Sequence, residues 1–237
     1  MRNFSYITSM SNIFPPPLAR RLNEEYLFEE KPYFDSDELS KAALIIVDLQ
    51  NDFLPKGSLA VPRGDEIIPV VNNLQKHYDL IIATQDWHPT EHKSFASNHP
   101  DKEVMETITL DGREQVLWPD HCVQGTKGAE LVETLESNKI ELIVRKGTDV
   151  QIDSYSAFFD NGHKKSTGLA GYLIEKGISK LAVCGLAADY CVFYTAMDAL
   201  ELGFEVEIIT EGTRAIDPET FAKKIELFKE KGGTVSS

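Results

Sequence analysis

Cys191 stands at the start of a helical pattern that ends before Gly203, and Ala187 to Tyr190 separate it from the apolar run Leu181-Ala182-Val183-Cys184-Gly185-Leu186. A thiol between a strand tip and the first turn of a helix meets unpaired backbone N–H groups and the positive end of the helix dipole. Both favour the thiolate, the reactive form of cysteine. Position therefore predicts a nucleophile. Such a thiol needs a base to take its proton and later return one to a leaving group. Asp48, which follows the run Ala42-Ala43-Leu44-Ile45-Ile46-Val47, suits that task if burial raises its pKa. Lys146, just past Glu141-Leu142-Ile143-Val144, offers a cation to stabilise the thiolate and hold the carboxylate. Each residue also has an ordinary reading, as a turn cap, a solvated amine or an inert core thiol. Their shared placement at three strand ends favours joint chemistry.

A second set of residues could bind a metal. Asp86-Trp87-His88 puts a carboxylate and an imidazole on one side of an extended segment, and His121 follows Trp118-Pro119 further on. Two imidazoles and a carboxylate suit a divalent cation and leave positions for water and substrate. By composition alone His88, before Pro89, could be a turn residue and His121 a hydrogen-bonded surface group.

These residues need a scaffold. Continuous apolar runs at 42–47, 80–84, 141–144, 181–186 and 205–209 read as strands buried on both faces. Helical spacing lies between them at 67–77, 129–135, 168–176 and from Cys191 to Leu200, with a last helix over 218–231 stopped by Gly232-Gly233. The alternation predicts an α/β fold, a mainly parallel sheet of about six strands with helices on both faces, in three layers. Ligands of such sheets lie beyond the carboxyl ends of the strands, where Asp48, Asp86, Lys146 and Cys191 fall. Pro89 to Lys127 reads as an excursion from the sheet rather than a linker.

The chain has 237 residues, 42% hydrophobic and 26% charged, which suits one α/β domain over residues 41–237. Residues 1–40 read as an N-terminal extension, packed on the domain or in part disordered; Pro15-Pro16-Pro17 breaks any helix there. A formal net charge of -14 argues against nucleic acid and anionic membrane as partners. Three cysteines, an odd number, point to a reducing compartment and a cytoplasmic protein rather than a disulfide framework. No run is apolar for long enough to span a bilayer.

The motifs Val47-Asp48-Leu49-Gln50-Asn51-Asp52-Phe53, Asp86-Trp87-His88-Pro89, Trp118-Pro119-Asp120-His121-Cys122-Val123, Arg145-Lys146-Gly147 and Gly185-Leu186-Ala187-Ala188-Asp189-Tyr190-Cys191-Val192 resemble, in order, the nicotinamidase branch of the isochorismatase-like cysteine hydrolases. The resemblance covers the chain from about Ala42 to its end. It implies a catalytic triad of Asp48, Lys146 and Cys191, a cis peptide at Leu186-Ala187, and an oxyanion hole from the N–H groups of Ala187 and Cys191. It implies one divalent metal ion on Asp86, His88 and His121, with His92 or Ser94 as competitors for a further ligand position. Zinc is the first choice of metal, with iron or manganese as alternatives. The implied reaction converts nicotinamide to nicotinate and ammonia within NAD salvage. Pyrazinamide is a second expected substrate. Phe53, Trp118 and Tyr155 are expected to line the ring pocket, and a homo-oligomer is admissible. The rival reading is an amidohydrolase of the same superfamily acting on an N-carbamoyl or ureido substrate. It would share the triad without needing the Asp86, His88 and His121 set.

Overall fold

The computed structural model describes residues 41–237, so the expected extension over 1–40 lies outside the described residues. Among the described residues eight strands and four α-helices follow in chain order: β1 (Lys41–Val47), α1 (Ile68–Leu74), β2 (Leu80–Asp86), β3 (Thr107–Leu110), β4 (Arg113–Val116), β5 (Ile140–Lys146), α2 (Leu169–Glu175), β6 (Ile178–Gly185), α3 (Phe193–Glu201), β7 (Glu205–Thr213), α4 (Pro218–Glu230) and β8 (Thr234–Ser236). Six of the strands form one parallel sheet in the order β5-β2-β1-β6-β7-β8.

Two apolar layers cover the sheet. On one face Leu173 of α2, Ala196 of α3 and Phe228 of α4 pack on Ile45, Val183 and Ile208. On the other, Ile68 and Val71 of α1, with Leu135 and Ala129 from the long connection after β2, pack on Leu44, Ile46 and Cys184. The three-layer α/β expectation therefore holds.

Strand order reverses between β1 and β6, the switch point at which open parallel sheets leave a crevice beyond their carboxyl ends. The backbones there come unusually close. Val47 is in register with Gly185, and a side chain at Gly185 would begin 2.0 Å from the Val47 carbonyl oxygen. Gly185 also has φ 115°, which L side chains rarely adopt. This close pairing brings the segments after β1 and β6 side by side.

Three local readings needed correction. Residues 129–135 form turns rather than a short helix. Their polar groups bond outward: the Asn51 N–H donates to the Glu130 carbonyl, the Gln50 side chain to the Ala129 carbonyl, and the Val132 N–H to the Leu49 carbonyl. Backbone groups committed to a neighbouring segment cannot close i→i−4 bonds. The helix expected over 67–77 is α-helical only in its middle, with 3₁₀ turns at Gly64–Ile67 and Gln75–His77. The helix expected from Cys191 begins as a π-turn over Ala188–Val192 and becomes regular at Phe193. The sequence reading also missed the β3–β4 hairpin within the excursion and the short edge strand β8.

Candidate active site

Asp48, directly after β1, has φ 48°. Thr84 of β2 holds it twice: the Asp48 N–H donates to Thr84 Oγ1 at 3.1 Å, and that hydroxyl donates to Asp48 Oδ1 at 2.6 Å. Lys146 ends β5, two strands away, and reaches across the end of β2. Its Nζ lies 2.8 Å from Asp48 Oδ2, 2.5 Å from Asp86 Oδ1, 3.0 Å from the Ser154 carbonyl oxygen and 3.2 Å from Cys191 Sγ. An ammonium has three protons, so four acceptors share them. Oxygens of Asp48 and Asp86 and the sulfur of Cys191 all lie within 4.8 Å of one another. The three predicted residues thus meet at one buried point.

This cluster holds two carboxylates, one ammonium and a thiol with almost no exposure. Burial raises the Asp48 carboxyl above its ordinary range; Lys146 opposes that and Asp86 adds to it. For Asp86 burial works in the same upward direction, but Lys146 and His88 win and hold it well below the ordinary carboxyl range. Burial works against the Lys146 ammonium, yet Asp48 and Asp86 keep it firmly charged. Burial pushes the Cys191 thiol well up, with Lys146 pulling the other way. Burial therefore opposes the pull of the helix terminus and of Lys146 toward the thiolate. The thiol is enclosed, and its burial calls for a base to take the proton. Asp48, itself raised, is matched to that exchange.

The turn after β6 contains the expected cis peptide, Leu186-Ala187. The Ala188 N–H is committed to the Arg214 carbonyl at 2.8 Å. The Ala187 carbonyl accepts from Tyr190 and Val192 and passes over Cys191, and among the described residues no carbonyl accepts from the Ala187 N–H.

The metal-binding candidates lie beside this cluster. Asp86 Oδ2 is 3.6 Å from His88 Nε2 and 3.7 Å from His121 Nε2. Ligands about 2.1 Å from a tetrahedral ion lie roughly 3.4 Å apart, close to these separations. Both rings are set by their far nitrogens: His88 Nδ1 is 2.8 Å from the Gly147 carbonyl oxygen and His121 Nδ1 is 2.8 Å from that of Pro119. Such bonds place the Nδ1 proton on the carbonyl side and turn the Nε2 lone pairs inward. A side chain at Gly147 would begin 2.3 Å from the His88 ring, so the ring's seat requires glycine. His88 Nε2 is buried with no hydrogen-bond partner. An orphaned imidazole nitrogen facing a carboxylate and a second imidazole fits a divalent cation.

His92 and Ser94 are brought to each other rather than into that set: His92 Nδ1 lies 2.6 Å from Ser94 Oγ. His92 Nε2 is nevertheless buried and unpartnered, and His92 groups with His88 and Asp153 within 4.8 Å. Burial pushes His92 down to about 4, so its ring is neutral and able to donate a lone pair.

A cleft opens over Cys191 and Ala187. Phe53, Trp118 and Tyr155 line it. The Tyr155 hydroxyl accepts from Trp118 Nε1 at 3.2 Å and from Gln115 Nε2 of β4 at 3.3 Å. Sequence reasoning missed Leu59, Asp153, Tyr190 and Ile216, which line the same cleft, and Thr84, which fixes Asp48. Tyr190 stood inside a quoted motif and could have been found. Leu59 and Ile216 carry no local signal, because apolar loop residues look alike until the fold places them.

Residues 42–237 match the isochorismatase domain. The chain belongs to this family. Among the proteins most similar to this isochorismatase-family chain is a nicotinamidase of Acinetobacter baylyi, 50% identical over 180 residues that cover 76% of this chain and 84% of that one. A solved structure of a nicotinamidase/pyrazinamidase of Acinetobacter baumanii superposes with a TM-score of 0.82 at 44% identity, covering 84% of this chain and 97% of the other. A pyrazinamidase of Pyrococcus horikoshii, solved in complex with zinc, gives 0.68 at 38% identity, covering 83% and 99%.

Proposed function

We propose that this chain is a nicotinamidase that hydrolyses nicotinamide to nicotinate and ammonia through a thioester on Cys191. One observation carries the reading: the Lys146 ammonium touches Asp48, Asp86 and Cys191 at once, so nucleophile, base and metal-ligand candidate form a single buried unit. The similarity to named nicotinamidases supports the substrate.

Asp48 takes the Cys191 proton as the sulfur attacks the amide carbon, and the carbonyl electron pair moves onto oxygen. The N–H groups of Ala187 and Cys191 face that oxyanion. Asp48 returns the proton to nitrogen, the C–N bond breaks, and ammonia leaves the acyl group on sulfur. Water then attacks the thioester while Asp48 takes its proton. The C–S bond breaks, nicotinate departs, and Cys191 regains its proton from Asp48. Lys146 stays charged throughout, steadying the thiolate and the ionised base. Asp86, His88 and His121 would hold a divalent ion, which when bound would supply a Lewis acid for a ring-nitrogen lone pair. Zinc fits this N/O donor set, with iron or manganese as alternatives. Phe53, Trp118 and Tyr155 enclose the ring and fix the carboxamide near the sulfur. Pyrazinamide offers a ring nitrogen and a carboxamide in the same relation and is the second substrate. Nicotinate formation returns the pyridine ring to NAD synthesis. Among the described residues no helix is long and apolar enough to cross a membrane.

Ammonia release from nicotinamide by purified protein, with and without a chelator, tests the reading. Release is expected from the zinc-loaded enzyme and is lost with the metal. Cys191→Ala should lower turnover by on the order of 10⁴-fold or more while zinc content stays unchanged. Undiminished ammonia release from that variant would overturn the mechanism.

A further inference from the structure

The loop between β7 and α4 is fastened to the turn that carries Cys191 by three hydrogen bonds, and α4 itself adds a fourth. The Ala188 N–H donates to the Arg214 carbonyl at 2.8 Å. The N–H groups of Ile216 and Asp217 donate to the two carboxylate oxygens of Asp189, each at 2.9 Å. Lys224 of α4 donates from Nζ to the Asp189 carbonyl at 2.6 Å. Asp189 has no exposed surface. The Lys224 ammonium also sits 4.9 Å from the ring centre of Tyr190, 5.0 Å from that of Phe193 and 4.6 Å from that of Tyr194. None of these bonds involves a group that takes part in the reaction. What the loop delivers to the cleft is one side chain, Ile216, which lines it together with Tyr190 and Cys191.

We propose that Ile216 limits the ring substituents the cleft admits and that Asp189 is its positioning residue. The inference rests on the pyridine-carboxamide reading above. A buried carboxylate shared between two consecutive amides fixes the Ile216 backbone relative to the Cys191 turn, so wall and nucleophile form one rigid piece. Charge-assisted bonds to backbone N–H groups are among the stronger hydrogen bonds in proteins. A wall that cannot recede turns the volume of Ile216 into a limit on substrate size.

The test is kcat/KM for nicotinamide and for its analogues methylated at each free ring carbon. One methyl group in an apolar pocket is worth about tenfold or more in discrimination. Ile216→Ala should raise the ratio for at least one methylated analogue over nicotinamide by about that factor, with Ile216→Val between it and the wild type. Asp189→Asn should move the same ratio in the same direction and raise KM for nicotinamide more than it lowers kcat, a split that a purely structural role would not produce. Should that variant not fold, Lys224→Met removes the bond to the Asp189 carbonyl, along with the ammonium's contacts with the Tyr190, Phe193 and Tyr194 rings, and is scored by the same ratio. Folded Ile216→Ala with unchanged ratios across the series overturns the inference. So does a positioning variant that loses thermal stability but keeps wild-type ratios and KM. Wild-type protein inactive on every pyridine carboxamide would sink the substrate reading and this inference together. Active wild type with unchanged ratios in the variants sinks this one alone.

Discussion

Two regions build the cleft by different means. Asp48, Asp86, Lys146 and Cys191 are carried by the ends of β1, β2 and β5 and by the turn after β6, strands hydrogen-bonded to one another in a single parallel sheet. His121, Trp118 and Gln115 come from the excursion between β2 and β5, which has no place in that sheet. It is held by scattered backbone bonds, among them the Asp52 N–H to the Gly128 carbonyl and the His88 N–H to the Cys122 carbonyl, and by side chains reaching from the segment after β1. Gln50 donates to the carbonyls of Asp86 and Ala129, Asn51 to that of Lys127, and Asp52 Oδ2 accepts the Cys122 N–H at 2.7 Å. Cys122, next to His121, has φ 46°, so the Asp52 bond holds a backbone corner that a non-glycine residue seldom adopts. Ladder-borne groups draw their precision from many cooperative bonds. The excursion lies outside that ladder, and the side-chain bonds that tie it to the segment after β1 act singly.

That contrast can be broken at its strong side first. Lys146→Met should abolish measurable turnover and destabilise the fold by about 3–5 kcal/mol, because Asp48 and Asp86 would be left as buried carboxylates without their cation. Urea unfolding and ammonia release read the two effects, and a variant as stable as the wild type would show that the cluster is not held as described. At the weak side, Asp52→Ala should lower metal affinity by about tenfold or more, measured by competition with a chelating dye. Alkylation of Cys191 in the metal-free protein should keep its wild-type pH profile. Equal damage to both readouts would erase the distinction between the regions.

The smallest effects are those of pH. Burial raises Asp48, so kcat/KM should fall on the acid side at a pH above the ordinary carboxyl range, since turnover needs its ionised form. Burial raises the Cys191 thiol, so alkylation by iodoacetamide should keep accelerating past the ordinary thiol range instead of levelling off near neutrality. For stability the signs of the two carboxylates oppose. The folded state favours protonated Asp48, a contribution present below the ordinary carboxyl pKa and lost as pH rises through its raised value. It favours ionised Asp86, a contribution present above the ordinary pKa and lost as pH falls through its depressed value. Unfolding free energies of Asp48→Asn and Asp86→Asn across acid pH should separate the two.

Much of the sheet-borne half could be read directly. Buried parallel strands are continuous apolar runs, and polar residues that interrupt such runs at their carboxyl ends stand out, as Asp48 and Lys146 do. The excursion was less legible. Its hairpin strands are short and half-exposed, and 129–135 has helical spacing yet spends its hydrogen bonds on the segment after β1. His121 was visible as a residue type, but nothing along the chain says that Pro119 and Asp52 set its direction.

By itself the sequence determined the alternation of strands and helices, and with it which residues lie at one edge of the sheet. Motif order then marked the family. Those properties follow from local periodicity and from the chemistry of single side chains. Only the tertiary structure decided that β1 and β6 meet at the switch point, that one ammonium bridges Asp48, Asp86 and Cys191, and that burial raises the thiol. It also decided that Asp189 ties Ile216 into the cleft wall. Burial and distance set those outcomes, and both arise between residues far apart in the chain.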